Sequence, residues 1–199
     1  ENNNDCLPVL RWCLAGKSTV CTTGAAMNWP RRLQATALFA KEWLKRPAMT
    51  GAICPSSRRL ANTMARQVPN AGGCVVELGG GTGVVTAALL EQGVVPERLI
   101  VVERSAVFAG HLQQRFPDIR VICGDARQLG QLLPRGVRVD AIVSCLPLRS
   151  LPEQDTTAIT AQWQPALAED GVIIQFTYDI RPLSGLALYN AEFIPCASE

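Results

Sequence analysis

From Gly72 onward, short apolar runs alternate with longer stretches in which apolar residues recur at helical spacing. The apolar runs are continuous rather than alternating, which is typical of parallel strands buried on both faces. Five strands are predicted, over Cys74–Leu78, Leu99–Glu103, Arg120–Cys123, Val139–Cys145 and Val172–Thr177. A repeated strand–helix–strand order requires right-handed crossovers. We therefore predict an α/β fold with a Rossmann-like, doubly wound, mostly parallel sheet and helices on both faces.

Helical patterns fill the segments between these strands. They are predicted over Val84–Gln92, Ala106–Phe116, Ala126–Leu133 and Glu153–Leu167. Ser105 is expected to cap the second of them, and Pro165 to end the last one early. Two further helices, Pro30–Arg46 and Ser57–Gln67, precede the first strand. The chain from Met27 onward thus divides into two parts. Residues 27–70 form an N-terminal helical segment that is predicted to act as a lid or to bind a membrane, and residues 71–199 form the core of the fold.

The two ends of the chain pattern less clearly. Residues 1–26 predict no element, and Met27 is a plausible native start, so we interpret them as an upstream or artificial extension. They lack the basic start and long apolar run of a secretory signal. After the fifth strand only Leu186–Ile194 reads as a further strand, so the core is expected to lack its last strand.

The most informative stretch follows the first strand and reads V-V-E-L-G-G-G-T-G. Its candidate ligand-binding residues are Glu77, Gly79, Gly80, Gly81, Thr82 and Gly83. Glycines permit a tight turn and let a ligand approach the backbone closely. The run is not a dinucleotide loop, because Val84 stands where G-x-G-x-x-G needs glycine, and no Gly-Lys-Ser/Thr follows for a phosphate loop. The carboxylate of Glu77 disfavours a pyrophosphate and favours a cationic sulfonium ligand with an ammonium group; a turn without a ligand is the alternative.

Two more polar features follow the second and third strands. Glu103, with Arg104 beside it, ends the second strand about 20 residues after the loop, where a carboxylate can accept hydrogen bonds from ribose hydroxyls. Gly124-Asp125-Ala126 follows the third strand, where Asp125 could take an adenine amino group. An exposed strand-end charge for Glu103 and a helix N-cap for Asp125 are the competing interpretations.

After the fourth strand comes Ser144-Cys145-Leu146-Pro147-Leu148, where a substrate would meet the cofactor. The four features in this order resemble the class I S-adenosylmethionine (SAM)-dependent methyltransferases, over roughly residues 72–180. The resemblance implies SAM as cofactor and S-adenosylhomocysteine as product. Ser144 is then expected at both the cofactor and the acceptor.

A-I-C-P-S-S over 52–57, the glycine loop and Ser144–Leu148 together look like the bacterial phospholipid N-methyltransferases, which methylate phosphatidylethanolamine toward phosphatidylcholine. That resemblance implies that Ser56 and Ser57 close over the cofactor, and that Leu146 and Pro147 line the acceptor site. The set also resembles the ribosomal RNA adenine dimethylases. Those enzymes have an aromatic residue after the proline to stack the base, where this chain has Leu148, so nucleic acid is disfavoured.

An amphipathic pattern over residues 28–46 places tryptophans on one side and basic residues on the other. The segment holds five basic residues and one acidic residue, so its net charge is +4 in a chain of net charge +2. Such a helix suits an anionic membrane surface, and packing on the core is the alternative. No apolar run approaches the roughly 20 residues of a membrane span. We expect a cytoplasmic protein associated peripherally with the inner face of the membrane.

Composition adds two exclusions. The eight cysteines form no C-x-x-C pair and the single His111 has no partner at ligand spacing, so buried thiols in a reducing compartment are favoured over a metal site. No histidine lies near the predicted acceptor site, and Tyr178 and Asp179 are the nearest candidate bases. The sequence leaves two other acceptors open, RNA and a soluble amine. It also leaves open a protein that binds SAM or lipid without catalysis.

Overall fold

Within residues 9–13, 58–176 and 191–194, which the computed structural model describes, seven strands form one sheet. They are β1 (Val9–Cys13), β2 (Cys74–Leu78), β3 (Leu99–Glu103), β4 (Arg120–Cys123), β5 (Val139–Ser144), β6 (Val172–Phe176) and β7 (Ala191–Ile194). Their spatial order is β4-β3-β2-β5-β6-β1-β7. The five strands from β4 to β6 are parallel, and β1 is antiparallel to both β6 and β7.

The described helices are α1 (Arg58–Ala65), α2 (Val84–Glu91), α3 (Ala106–Arg115), α4 (Leu129–Leu132), α5 (Glu153–Thr160) and α6 (Trp163–Ala166). Apolar residues of α1, α2 and α3 pack on one face of the sheet, and those of α4, α5 and α6 pack on the other. Alternate residues of each strand point to opposite faces of the sheet. In β5, Val143 packs with the apolar residues of α1, α2 and α3, and Ile142 packs with those of α4, α5 and α6. The doubly wound Rossmann-like architecture is thus confirmed.

Several predicted boundaries differ from the structure. The helix predicted over Ala126–Leu133 is a 3-10 turn, Ala126–Gln128, followed by α4. The fourth strand ends at Ser144, since Cys145 already belongs to the following loop. The helix predicted over Glu153–Leu167 is two pieces, separated at Ala161 and Gln162. Proline has no N–H for the carbonyl four residues earlier, and its ring crowds that carbonyl. Pro165 therefore interrupts the helix about one turn earlier, at Ala161, and itself lies in the first turn of α6.

The sheet takes a strand from a part of the chain for which none was predicted. In β1, Val9 pairs with Phe176 of β6 on one side and with Ile194 of β7 on the other. Residues 1–26 were predicted to form no element, and the strand Val9–Cys13 corrects that prediction. This strand lies between β6 and β7 in the sheet. Pairing through the backbone on both edges allows a strand with little periodicity in its side chains.

The N-terminal helical segment is described from Arg58 onward, where α1 packs against α2. The helix predicted over Pro30–Arg46 lies outside the described residues. None of the helices in the described ranges has the length and apolar character needed to cross a bilayer.

Candidate cofactor and acceptor site

Loops that leave the strands at their carboxyl ends bring the predicted features to one edge of the sheet. Backbone hydrogen bonds extend the sheet pairing into these loops: the N–H of Gly79 donates to Val102 at 2.8 Å, and that of Cys145 to Leu78 at 2.8 Å. The N–H of Gly124 donates to the carbonyl of Glu103 at 3.0 Å. This edge is where doubly wound sheets bind their ligands.

The glycine loop has the tight, open backbone that its sequence predicts. Gly79, Gly81 and Gly83 have φ values of 78°, 51° and 77°, which glycine adopts without strain. At Gly80 the constraint is space, because a Cβ would lie 2.5 Å from Val101 Cγ1. A Cβ at Gly81 would meet no described atom within 4 Å, so the loop presents bare backbone on that side.

Glu103 links the end of β3 to the glycine loop. Its carboxylate accepts hydrogen bonds from the N–H of Gly81 at 2.9 Å and from that of Ser105 at 2.8 Å. Glu103 is 8% exposed, and this burial raises its pKa, against the backbone donors Ser105, Gly81 and Arg104. Glu103 is therefore not the exposed strand-end charge of the competing interpretation. A carboxylate has about four lone-pair sites, so three backbone donors leave room to accept a hydrogen bond from a ligand.

Glu77 lies beneath the same loop and is wholly buried. Its carboxyl accepts a hydrogen bond from Thr86 Oγ1 at 2.7 Å, and Cys145 Sγ lies 3.9 Å from its other oxygen. Burial is the largest cause that raises the pKa of Glu77 to about 7; Thr86 opposes the rise and the charge of Glu103 adds to it. A buried carboxyl with that pKa becomes fully ionised when a cation binds beside it.

Asp125 is held by arginines and acts as a helix N-cap. Its carboxylate accepts from the Arg127 backbone N–H at 3.0 Å and from Arg127 Nη2 at 2.7 Å, and Arg104 Nε lies 3.6 Å away. The Arg127 hydrogen bond is the largest cause that lowers the pKa of Asp125. The cap competing with adenine recognition is thus present. A cap occupies only part of a carboxylate, so recognition of adenine stays a prediction.

The loop after β5 lies against the glycine loop. A Cβ at Gly79 would be 2.8 Å from Leu146 Cδ2, so the two loops touch. Ser144 is wholly buried, and its hydroxyl has no hydrogen-bond partner among the described residues. Leu146 and Pro147 are partly buried and Leu148 is 3% exposed, so the lining is aliphatic.

Of the remaining predicted residues, Gly124 and Ala126 flank Asp125 at the same edge. A Cβ at Gly124 would lie 2.7 Å from Leu132, so a larger residue would displace α4. Ser56, Ser57, Tyr178, Asp179 and the segment 28–46 lie outside the described residues.

Several residues that shape the site were missed by the sequence analysis. Arg115 Nη1 donates to the Thr82 carbonyl at 2.5 Å and braces the glycine loop from α3. Thr86, Thr156 and Gln175 also donate to site residues and are buried. A signal did exist for Thr86 and Gln175, because each interrupts an apolar run, V-V-T-A-A-L-L and V-I-I-Q-F.

The raised pKa of Glu77 predicts how the stability of the cofactor-free protein varies with pH. Between about pH 4.5 and 7 the folded protein keeps a proton that the unfolded chain has lost, so this contribution is full below pH 4.5 and falls as pH rises through 7. Glu77→Gln removes this titrating group. As the pH rises from 4.5 to 8, the free energy of unfolding of the variant should therefore increase by about 3 kcal/mol relative to that of the native protein.

Urea unfolding of both proteins across that pH range measures the difference. The exposed Glu97→Gln is the matched control and should follow the native curve. Parallel curves for native protein and Glu77→Gln would contradict a protonated buried Glu77.

Comparison with known proteins gives independent findings. A family profile described as a methyltransferase domain matches residues 75–171. The ornithine lipid N-methyltransferase of Singulisphaera acidiphila is 35% identical over 147 residues, which are 70% of this chain and 76% of that protein.

One solved structure supports the fold. A SAM-dependent methyltransferase from Clostridium acetobutylicum superimposes with a TM-score of 0.51 at 17% identity, covering 70% of this chain and 56% of that one. DesVI from Streptomyces venezuelae gives a TM-score of 0.48 at 19% identity, covering 74% and 58%. The chain thus spans little more than half the length of these two proteins.

The relative covers most of this chain, the profile spans the sheet from β2 to the turn before β6, and the glycine loop and its carboxylates fit a cationic nucleoside. The chain belongs to the class I SAM-dependent methyltransferases and uses SAM as its cofactor.

Proposed function

We propose that this enzyme transfers methyl groups from SAM to the amino group of a membrane lipid, with phosphatidylethanolamine as acceptor. The main support is the aliphatic loop Ser144–Leu148, which touches the glycine loop at Gly79. An acceptor held there meets leucine and proline side chains rather than an aromatic ring for stacking a base. The Singulisphaera relative is named as an N-methyltransferase of ornithine lipid, which also supports a lipid acceptor.

The cofactor residues have proposed partners. Glu103 accepts from the ribose hydroxyls with its remaining lone pairs, on the open side of Gly81. Glu77 compensates the positive charge of the sulfonium and the ammonium group, and Asp125 takes the adenine amino group beside its arginines. Ser56 and Ser57 close over the cofactor, as the family resemblance implies.

SAM, when bound, supplies an electrophilic methyl group on a positively charged sulfur. The acceptor nitrogen attacks that carbon in line, so an N–C bond forms, the C–S bond breaks, and S-adenosylhomocysteine is the product. The ammonium form of the acceptor, with a reference pKa of about 10.4, must first lose a proton. Tyr178 or Asp179 is the proposed base that accepts this proton and passes it to solvent; direct loss of the proton to solvent is the alternative. Alignment of nitrogen and methyl carbon supplies most of the rate, on the order of 7–11 kcal/mol.

The acceptor should be identified by incubation with radiolabelled SAM and one candidate at a time. Phosphatidylethanolamine vesicles should become labelled, whereas phosphatidylcholine vesicles, which carry no methylatable amine, should not. Ornithine lipid vesicles, ribosomal RNA and soluble amines complete the series.

Each outcome has a distinct meaning. Label in ornithine lipid alone would support a lipid amine as the acceptor and would replace phosphatidylethanolamine with ornithine lipid in the proposal. Label in RNA, or in a soluble amine without vesicles, would contradict the lipid proposal. SAM binding without any labelled product would favour a binding module.

Membrane attachment through residues 28–46 rests on their charge, and it places the enzyme at the inner face of the membrane. Each basic side chain near an anionic surface contributes about 1 kcal/mol. Neutralising Arg31, Lys41 and Lys45 to glutamine should therefore weaken binding to phosphatidylserine-containing vesicles roughly hundredfold.

Vesicle co-sedimentation at low salt measures this binding. The control neutralises three exposed arginines outside residues 28–46, Arg66, Arg120 and Arg135, and should bind as the native protein does. Equal losses in both variants would show that overall charge, rather than this segment, attracts the membrane.

A further inference from the structure

Two buried side chains hold the loop Ser144–Leu148 from different elements. Gln175 of β6 donates from Nε2 to the carbonyl of Leu146 at 2.9 Å. Thr156 of α5 donates from Oγ1 to the carbonyl of Leu148 at 2.9 Å. The N–H of Leu148 also bonds to the Leu146 carbonyl at 2.9 Å, so the two anchored carbonyls belong to one tight turn.

The amide of Gln175 has a defined orientation. Its second contact is the carbonyl of Phe176 at 2.6 Å, and because both contacts are acceptors, the nitrogen must face them. Its oxygen is buried and has no hydrogen-bond partner among the described residues. An unpartnered buried oxygen costs free energy that an apolar residue of the same size would avoid. The gain that offsets it in this structure is the contact with the Leu146 carbonyl.

Gln175 also lies next to the predicted acceptor position. It pairs in register with Ser144 on the neighbouring parallel strand, so both side chains project from the same face of the sheet. The Ser144 hydroxyl likewise is buried and lacks a partner in the described part of the chain. Two adjacent buried polar groups with unused hydrogen-bonding capacity thus border the loop that Gln175 anchors.

Thr156 differs from a second threonine one turn later on the same helix. Both are 4% exposed. Thr160 Oγ1 donates within α5, to the carbonyl of Thr156 at 3.0 Å, whereas the Thr156 hydroxyl leaves the helix to reach the loop. The chain therefore contains its own matched control, since valine at either position removes one buried hydroxyl and only one of the two holds the loop.

Fixing this loop matters because Leu146 contacts the cofactor loop at Gly79. Methyl transfer needs the nucleophile aligned with the methyl carbon, and a misplacement of about 1 Å can cost as much as a hundredfold in rate. We propose that Gln175 and Thr156 are positioning residues that fix the Leu146–Leu148 turn, and thereby set acceptor binding and alignment without contributing to SAM binding. The proposal rests on the proposed function in that it takes this loop as the acceptor site.

The test compares Gln175→Met, Thr156→Val, Thr156→Ser and Thr160→Val in the full chain. Steady-state kinetics with phosphatidylethanolamine vesicles should show that kcat/KM is about tenfold lower for Gln175→Met and Thr156→Val than for the native protein. The Kd of SAM, measured by calorimetry, should stay within about twofold. Thr156→Ser keeps the hydroxyl and should restore native kinetics, and Thr160→Val should act as the native protein does.

Hydrogen exchange of the amides from Cys145 to Ser150 separates this inference from the choice of acceptor. Exchange there should rise in Gln175→Met and Thr156→Val only. Native protein that labels no lipid would overturn the proposed function, and the exchange data would still decide whether the two side chains fix the turn. The inference would be overturned if amide exchange in Gln175→Met and Thr156→Val matched that of the native protein. It would also be overturned if exchange rose but kcat/KM for the acceptor did not fall, or if Thr160→Val lost as much kcat/KM as Thr156→Val.

Discussion

The site depends on two carboxylates buried at the carboxyl ends of adjacent parallel strands. Glu103 accepts hydrogen bonds from the backbone of the glycine loop, and Glu77 lies beneath that loop against Thr86. Neither has an arginine or lysine side chain as a hydrogen-bond partner among the described residues, and burial raises the pKa of both. A pair of buried acids without a cation is unfavourable by itself, and a ligand with positive charge relieves that cost. The preference for a sulfonium cofactor follows from this constraint.

The rest of the architecture serves to hold that pair. β2 and β3 are wholly apolar before their final acids, so their position in the sheet is set by burial on both faces. Gly80 lies so close to Val101 that no side chain fits, which keeps the loop over the strand ends. Contact between Gly79 and Leu146 then couples the cofactor loop to the loop after β5. The proposed cofactor and acceptor sites thereby differ in chemistry, with buried carboxylates at the first and aliphatic side chains at the second.

The parallel core was predictable from sequence because buried parallel strands are continuous apolar runs. The glycine loop was predictable because its residue types are set by backbone conformation. β1 was not, since a strand paired on both edges needs no side-chain periodicity, and its partners β6 and β7 lie more than 150 residues away along the chain. The cap and adenine-binding interpretations of Asp125 could not be separated from sequence, because both require a carboxylate at the same turn. The break that Gln175 makes in an apolar run marks it as unusual, but its acceptor and that of Thr156 are backbone carbonyls, which no residue pattern reveals.

The central claim is that the buried carboxylates recognise a cationic cofactor, and titration calorimetry with SAM tests it most directly. The account predicts saturable binding by the native protein, with affinity lowered at least tenfold in Glu77→Gln, which keeps the shape of the side chain and removes its charge. Affinity should change little in Glu97→Gln, an exposed acid away from the loop. Binding of SAM that is indifferent to Glu77, or no binding at all, would contradict it.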